Sequence, residues 1–271
     1  MTWHLGRLCA FDLETTGVDT ETDRIVTAAV HALGGAETSE GQEWLADPRI
    51  EIPAEATAVH GITTERARMD GDPADMVADQ VAAFLAVQVR DGLPVVGHNV
   101  PFDLTLLDRE LRRYNLPTLG ERLGDRPLHV IDTRVLDQHA IPYRKRPSEE
   151  QGARQLITLA QVYGLPWDAE AAHGCSYDAL VAARIAYRIG QLAHMRRADW
   201  PEHIRGERRV RFHAFRDLTL AELHDRQIEL AAEQAAGLQK HFRKTDPQAV
   251  VDGSWPLRPW VEPIATEGAP A

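Results

Sequence analysis

Residues 8–13 (Leu-Cys-Ala-Phe-Asp-Leu) are apolar except for Asp12, and a short apolar run of this kind suits a buried strand. A second strand is expected over 24–33 and a third over 41–46, with Gly34 and Gly35 in the turn between them. A helix is predicted over 73–89, where Met76, Val77, Val81, Phe84, Leu85 and Gln88 recur at nearly helical spacing and Asp91-Gly92 closes the segment. Short strands follow over 94–97 and 128–131. Helices are expected over 101–114, with Pro101 in the first turn, and over 155–163 and 176–192. Strands first, then strands alternating with helices, imply an α/β domain with a mixed five-stranded sheet flanked by helices. That domain is assigned to residues 5–195. A C-terminal extension over 196–271 holds a basic stretch at 203–216, a helix over 218–242 and a loose proline-rich tail from 256 onward.

Composition sets limits. A chain of 271 residues with 44% hydrophobic and 26% charged content can bury one substantial core. No run of eighteen or more apolar residues is present, and residues 1–7 show no secretory pattern, so no membrane span and a cytoplasmic location are expected. Cys9 and Cys175 make neither a disulfide framework nor a zinc site. The net charge of −11 argues against a general nucleic-acid coating protein, yet it is compatible with a nuclease whose carboxylates hold cations.

Three segments carry candidate chemistry. In Phe11-Asp12-Leu13-Glu14-Thr15-Thr16-Gly17, strand alternation places Asp12 and Glu14 on one face. A buried acidic pair is costly without a counter-charge, which a divalent cation supplies. Read alone, the same pair fits a strand end facing water. Thr15, Thr16 and Gly17 offer backbone N–H groups and room for a ligand, or else an ordinary turn. In Gly97-His98-Asn99-Val100-Pro101-Phe102-Asp103, Asp103 falls in the first turn of a helix, where it serves either the helix dipole or a metal site. In His173-Gly174-Cys175-Ser176-Tyr177-Asp178-Ala179, a loop histidine and a helix-borne carboxylate can converge, although an exposed loop histidine is an equally good reading of His173.

In this order and spacing the three segments resemble the DEDDh family of 3′–5′ exonucleases, which includes the proofreading epsilon subunit of bacterial DNA polymerase III and its stand-alone relatives. Val59-His60-Gly61-Ile62-Thr63 and Ile131-Asp132-Thr133 are similar to the family's intermediate motifs. The resemblance spans roughly residues 5–193 and implies an RNase H-like fold. It also implies that Asp12, Glu14 and Asp178 hold two Mg²⁺ or Mn²⁺ ions, that Asp103 completes the acidic set, and that His173 is the general base. An all-oxygen donor set suits those hard cations better than zinc. Thr15, Thr16, Gly17, His98, Asn99 and Phe102 are then the expected substrate contacts. DNA 3′ ends are the expected substrate. RNA is the alternative polymer, a DNA polymerase is an open partner, and a noncatalytic binding module is disfavoured because all five acidic and basic residues are present.

Two basic stretches remain. Tyr143-Arg144-Lys145-Arg146 can hold strand phosphates, with Tyr143 stacking on a base, or can form a solvated loop. The arginines at 205, 208, 209, 211 and 216 sit among Glu202, Glu207 and Asp217, which favours a salt-bridged structural segment.

Overall fold

The computed structural model describes residues 2–262. Three antiparallel strands lead: β1 (Arg7–Thr15), β2 (Ile25–Gly34) and β3 (Glu40–Asp47). Two short helices, α1 (Ala54–His60) and α2 (Thr64–Asp70), precede a two-residue strand β4 (Asp72–Pro73) and the long α3 (Ala74–Arg90). Then come β5 (Val95–Gly97), α4 (Val100–Arg113), α5 (Leu119–Leu123), β6 (Val130–Asp132), α6 (Thr133–Ala140), α7 (Leu156–Val162) and α8 (Cys175–His194). The extension contributes α9 (Glu202–Arg205) and α10 (Leu220–Phe242).

The sheet runs β4-β3-β2-β1-β5-β6, antiparallel within β1–β3 and parallel from β1 through β5 to β6. It therefore has six strands where five are expected. The sixth, β4, pairs only Asp72 and Pro73 with Ala46 and Asp47, which is too short to leave a period in the sequence. Helices α1, α2, α5 and α6 are likewise unannounced, each having eight residues or fewer. β1 is central, and its Leu8, Cys9, Ala10 and Phe11 are all buried, so the apolar run reflects cover on both faces. Helix α8 lies over β1, β2 and β5 and supplies Ile185 and Ile189 to the same core. His31 of β2 shares a 2.8 Å hydrogen bond with Ser176, which holds the first turn of α8 against the sheet.

The extension packs tightly on this domain. Strand β6 is an edge, with N–H and C=O groups that need partners. Gln227 of α10, fully buried, accepts from the Asp132 N–H at 2.7 Å and donates to the Val130 carbonyl at 2.8 Å, so one side-chain amide continues the ladder. The Val130 N–H donates to His224 Nδ1 at 3.1 Å. The tail then crosses α4 instead of hanging loose. Trp255 is buried against Asp132, the Arg258 N–H donates to Thr105 Oγ1 at 3.0 Å, and the guanidinium of Arg109 lies 5.1 Å from the Trp260 ring. The rest of the expected proline-rich tail, 263–271, lies outside the described residues. Among the described residues no helix is long and apolar enough to cross a membrane.

The 203–216 segment also departs from expectation, since no salt bridge joins its arginines to Glu202, Glu207 or Asp217. Arg216 instead donates to the carbonyls of Ala193 and Met195, while Arg208 and Arg209 stand over the Tyr143 ring at 5.0 and 5.7 Å.

Candidate active site

The site forms where β1 outlasts its parallel neighbour. β5 pairs with β1 only as far as Ala10, so the β1 backbone beyond that point needs another partner on this side. Asp103, buried in the first turn of α4, provides it: its Oδ1 accepts the Leu13 N–H at 3.1 Å. Gly97 makes this approach possible, because a Cβ there would lie 2.9 Å from the Phe11 carbonyl oxygen. A register shift between Glu14 and Thr15 bends the end of the ladder beside the site.

Asp12 and Glu14 share the face of β1 that meets the first turn of α8, where Asp178 sits. One carboxylate oxygen from each of Asp12, Glu14 and Asp178 falls within 4.8 Å of the others. Among the described residues no lysine or arginine pairs with any of these three or with Asp103. The consequences for protonation are large. Burial, reinforced by Asp103, Glu14 and Asp178, holds the Asp12 carboxyl well above the usual range. Burial and the neighbouring carboxylates push Glu14 up to about 8. Burial pushes Asp103 up to about 8 against the opposing pull of the Leu13 N–H. Asp178 rises to about 6 through burial, moderated by His173.

These residues fit a bound divalent cation. Among the described residues Asp178 Oδ1 is a buried acceptor with no hydrogen-bond partner, a condition that costs about 1–3 kcal/mol unless something occupies it. The donor set is entirely oxygen, which suits a hard divalent cation. Both cysteines are buried, unpaired and pushed up to about 12 by burial, which leaves them as inert thiols.

His173 lies in the loop before α8, exposed and with φ +62°, and Gly174 N-caps the helix. It opens onto a cleft of about 640 Å³ that also takes in Trp44, His60, Ile62, Arg66 and Tyr177. His60 lies close to the Thr15 backbone and accepts the Ile62 N–H at Nδ1, while its buried Nε2 has no partner among the described residues. This places the 59–63 segment beside the site. Gly61, at φ +74°, ends α1 immediately after that ring.

Other expected contacts are used internally. Thr16 is buried: its hydroxyl donates to Asp23 at 2.8 Å and accepts the Arg24 N–H, and its own N–H goes to the Arg24 carbonyl. Gly17 lies close to Asp23, whose carboxylate would have to shift to admit a Cβ there. Thr15 donates its hydroxyl to the Gly17 carbonyl at 2.6 Å. His98 has both ring nitrogens engaged, by Thr133 Oγ1 at 2.9 Å and the Arg154 carbonyl at 2.8 Å. Burial holds His98 below the usual histidine range, so the neutral ring donates to Arg154 and accepts from Thr133. Phe102 is half-buried against the core. Asn99, left-handed at φ +68°, caps α4, and its Oδ1 accepts from Arg134 at 2.6 Å.

Arg144 is a further correction. Its side chain is 3% exposed and paired with the fully buried Asp137, which also holds Arg154 and the Tyr163 hydroxyl, so it cannot reach a strand phosphate. Tyr143, just before it, is half-exposed and taken up by Arg208 and Arg209. A residue that sequence reasoning left without a role is Asp132. It accepts the N–H groups of Asn99 at 3.0 Å and Arg134 at 2.9 Å and the Trp255 indole N–H at 3.3 Å, thereby tying α4, α6 and the tail together.

The RNase T exonuclease family profile matches residues 9–186. The PolC-type DNA polymerase III of Lacticaseibacillus paracasei is 27% identical over 179 residues, 66% of this chain and 11% of its own length. The Clostridium perfringens protein of the same name is 28% identical over 163 residues, 59% of this chain and 10% of its own. The chain thus spans about a tenth of the length of these curated relatives. Among solved structures, zinc-bound E. coli exonuclease I with single-stranded DNA superposes with TM-score 0.55 at 18% identity, covering 69% of this chain and 41% of that one. Exonuclease I from Methylocaldum szegediense gives 0.53 at 21%, covering 73% and 42%.

Proposed function

The chain belongs to the RNase T exonuclease family, as a DEDDh-type member with an RNase H-like fold, and from that premise we propose that it removes nucleoside 5′-monophosphates from the 3′ ends of single-stranded DNA. One observation carries the reading: Asp12, Glu14 and Asp178 converge within 4.8 Å, with no lysine or arginine paired to them among the described residues. Two divalent ions held there would supply charge relief to the attacking and departing oxygens of an in-line displacement. Asp12, Glu14 and Asp178 are the proposed ligands. Asp103 holds the β1 backbone at Leu13 and so fixes the direction of the Asp12 and Glu14 side chains on either side of it.

His173, in the mouth of the cleft, takes the proton from the attacking water, and its loop position leaves the ring free to turn toward Asp178. The cleft between His173 and His60 is the proposed seat of the 3′-terminal nucleotide. The PolC-type relatives favour DNA over RNA and a replicative or repair setting. The deciding experiment incubates the purified protein with labelled single-stranded, paired and mismatched DNA beside matched RNA, with Mg²⁺ or EDTA. Stepwise shortening of single-stranded DNA from the 3′ end, only with the metal, is expected. Endonucleolytic products, or equal activity in EDTA, would refute the reading.

A further inference from the structure

A groove of about 380 Å³ lies between the first turn of α6, one face of α10 and the segment 250–258. It begins at Asn99 and Asp132, on the C-terminal ends of β5 and β6. These strands run parallel to β1, whose C-terminal half bears Asp12 and Glu14, so groove and carboxylates open on the same edge of the sheet. At its inner end stand two guanidinium groups, with the carboxylates of Asp132 and Asp252 in the same lining. Arg134 is exposed and makes no ion pair among the described residues, its Nη1 resting on Asn99. Arg258 is 40% exposed and, among the described residues, meets Asp252 at 3.7 Å and Thr20, with Asp19 close enough to feel its charge. Farther out, Leu238, Phe242 and Val250 present apolar surface that is 40%, 44% and 80% exposed. From Gln227, docked on β6, to Phe242 the helix carries this wall about 22 Å.

Guanidinium groups near a reaction centre, followed by exposed apolar and aromatic surface, are a pattern that holds single-stranded nucleic acid, phosphates on the cations and bases on the apolar faces. Resting on the exonuclease reading above, we propose that this groove binds the strand upstream of the 3′ end being cut. Arg134 and Arg258 would contact phosphates and Phe242 would stack on a base. The family match covers residues 9–186, so α10 and the 250–258 wall lie outside the matched residues.

The test compares a single-stranded oligomer of about 20 nucleotides with a p-nitrophenyl ester of thymidine 5′-monophosphate, which fills the reaction centre alone. Arg134→Ala should raise KM for the oligomer and flatten its salt dependence by about 0.7 in log–log slope, the loss expected for one single-strand phosphate contact. Arg134→Lys should restore that slope. Phe242→Ala should raise the oligomer KM by about five-fold or more, the lower end for losing one stacked base. In both alanine variants the ratio of oligomer to ester kcat/KM should fall. Unchanged oligomer KM and salt slope in both variants overturns the groove, and so does an equal loss on the two substrates. Binding of the labelled oligomer in EDTA separates the two readings. If the parent binds with an affinity that Arg134→Ala and Phe242→Ala weaken, yet cleaves neither substrate in Mg²⁺, the exonuclease reading falls and the groove stands.

Discussion

Replacing Glu14 by glutamine should make the metal-free protein more stable while abolishing its activity. The Glu14 carboxyl is raised from 4.5 to about 8 by burial and by Asp178 and Asp103. A raised acid binds its proton more tightly when folded, so its contribution to stability is fully present below about 4.5 and is lost as pH climbs to about 8. At 1.36 kcal/mol per pH unit, ionisation in the fold costs at most about 5 kcal/mol. Neighbouring carboxyls share the strain and water reaches the cluster, so about 1–3 kcal/mol of relief is the expected gain from the neutral isostere. For a domain of this size that is about 2–4 °C in Tm per kcal/mol. The assay is thermal unfolding of both proteins from pH 5 to 9, in EDTA and in Mg²⁺. In EDTA the parent should lose stability steadily across that window, and Glu14→Gln should lose less and exceed it at pH 8. Mg²⁺ should raise the parent far more than the variant, because a ligand that binds only the folded state stabilises by mass action. Parallel pH profiles in EDTA, or equal stabilisation of both by Mg²⁺, would refute the reasoning.

Asp12→Ala and Asp178→Ala should each abolish Mg²⁺-dependent release of mononucleotides from a labelled oligomer, and residual turnover near the parent level in either would remove that residue from the metal site. His173→Ala should lower kcat by about 10²–10⁴ with the metal affinity retained, measured by turnover at saturating oligomer. Arg144→Ala leaves Asp137 with one buried partner fewer and should cost about 3–5 kcal/mol in denaturant unfolding, with KM for short DNA unchanged in the surviving folded protein. Gln227→Leu strips two buried backbone groups of β6 of their partners and should cost about 1–3 kcal/mol for each group left unpaired, read by the same unfolding midpoint.

Much of this protein is legible without coordinates. The apolar run at 8–13 announces the central strand because cover on both faces leaves no polar alternation to obscure it, and the long periods at 73–89 and 176–192 announce α3 and α8 within two residues of their ends. Local rules put Asp12 and Glu14 on one strand face and Asp178 at a helix start but leave each with a bland reading, and only the family order of the motifs singles them out. Local rules could not say which hydroxyls, imidazoles and guanidiniums in those motifs would remain free. Thr16, His98 and Arg144 look like substrate contacts in sequence, but the Thr16 hydroxyl, both His98 ring nitrogens and one Arg144 N–H are engaged by Asp23, by Thr133 and Arg154, and by Asp137, from elements up to 56 residues away. The same holds for Gln227, an ordinary helix residue until β6 presents it with two unpaired backbone groups. Periodicity and motif order are properties of neighbouring residues and survive in the linear chain. Hydrogen-bond satisfaction is settled only when distant segments meet, so tertiary structure alone decides which polar groups belong to the fold and which are left for a substrate.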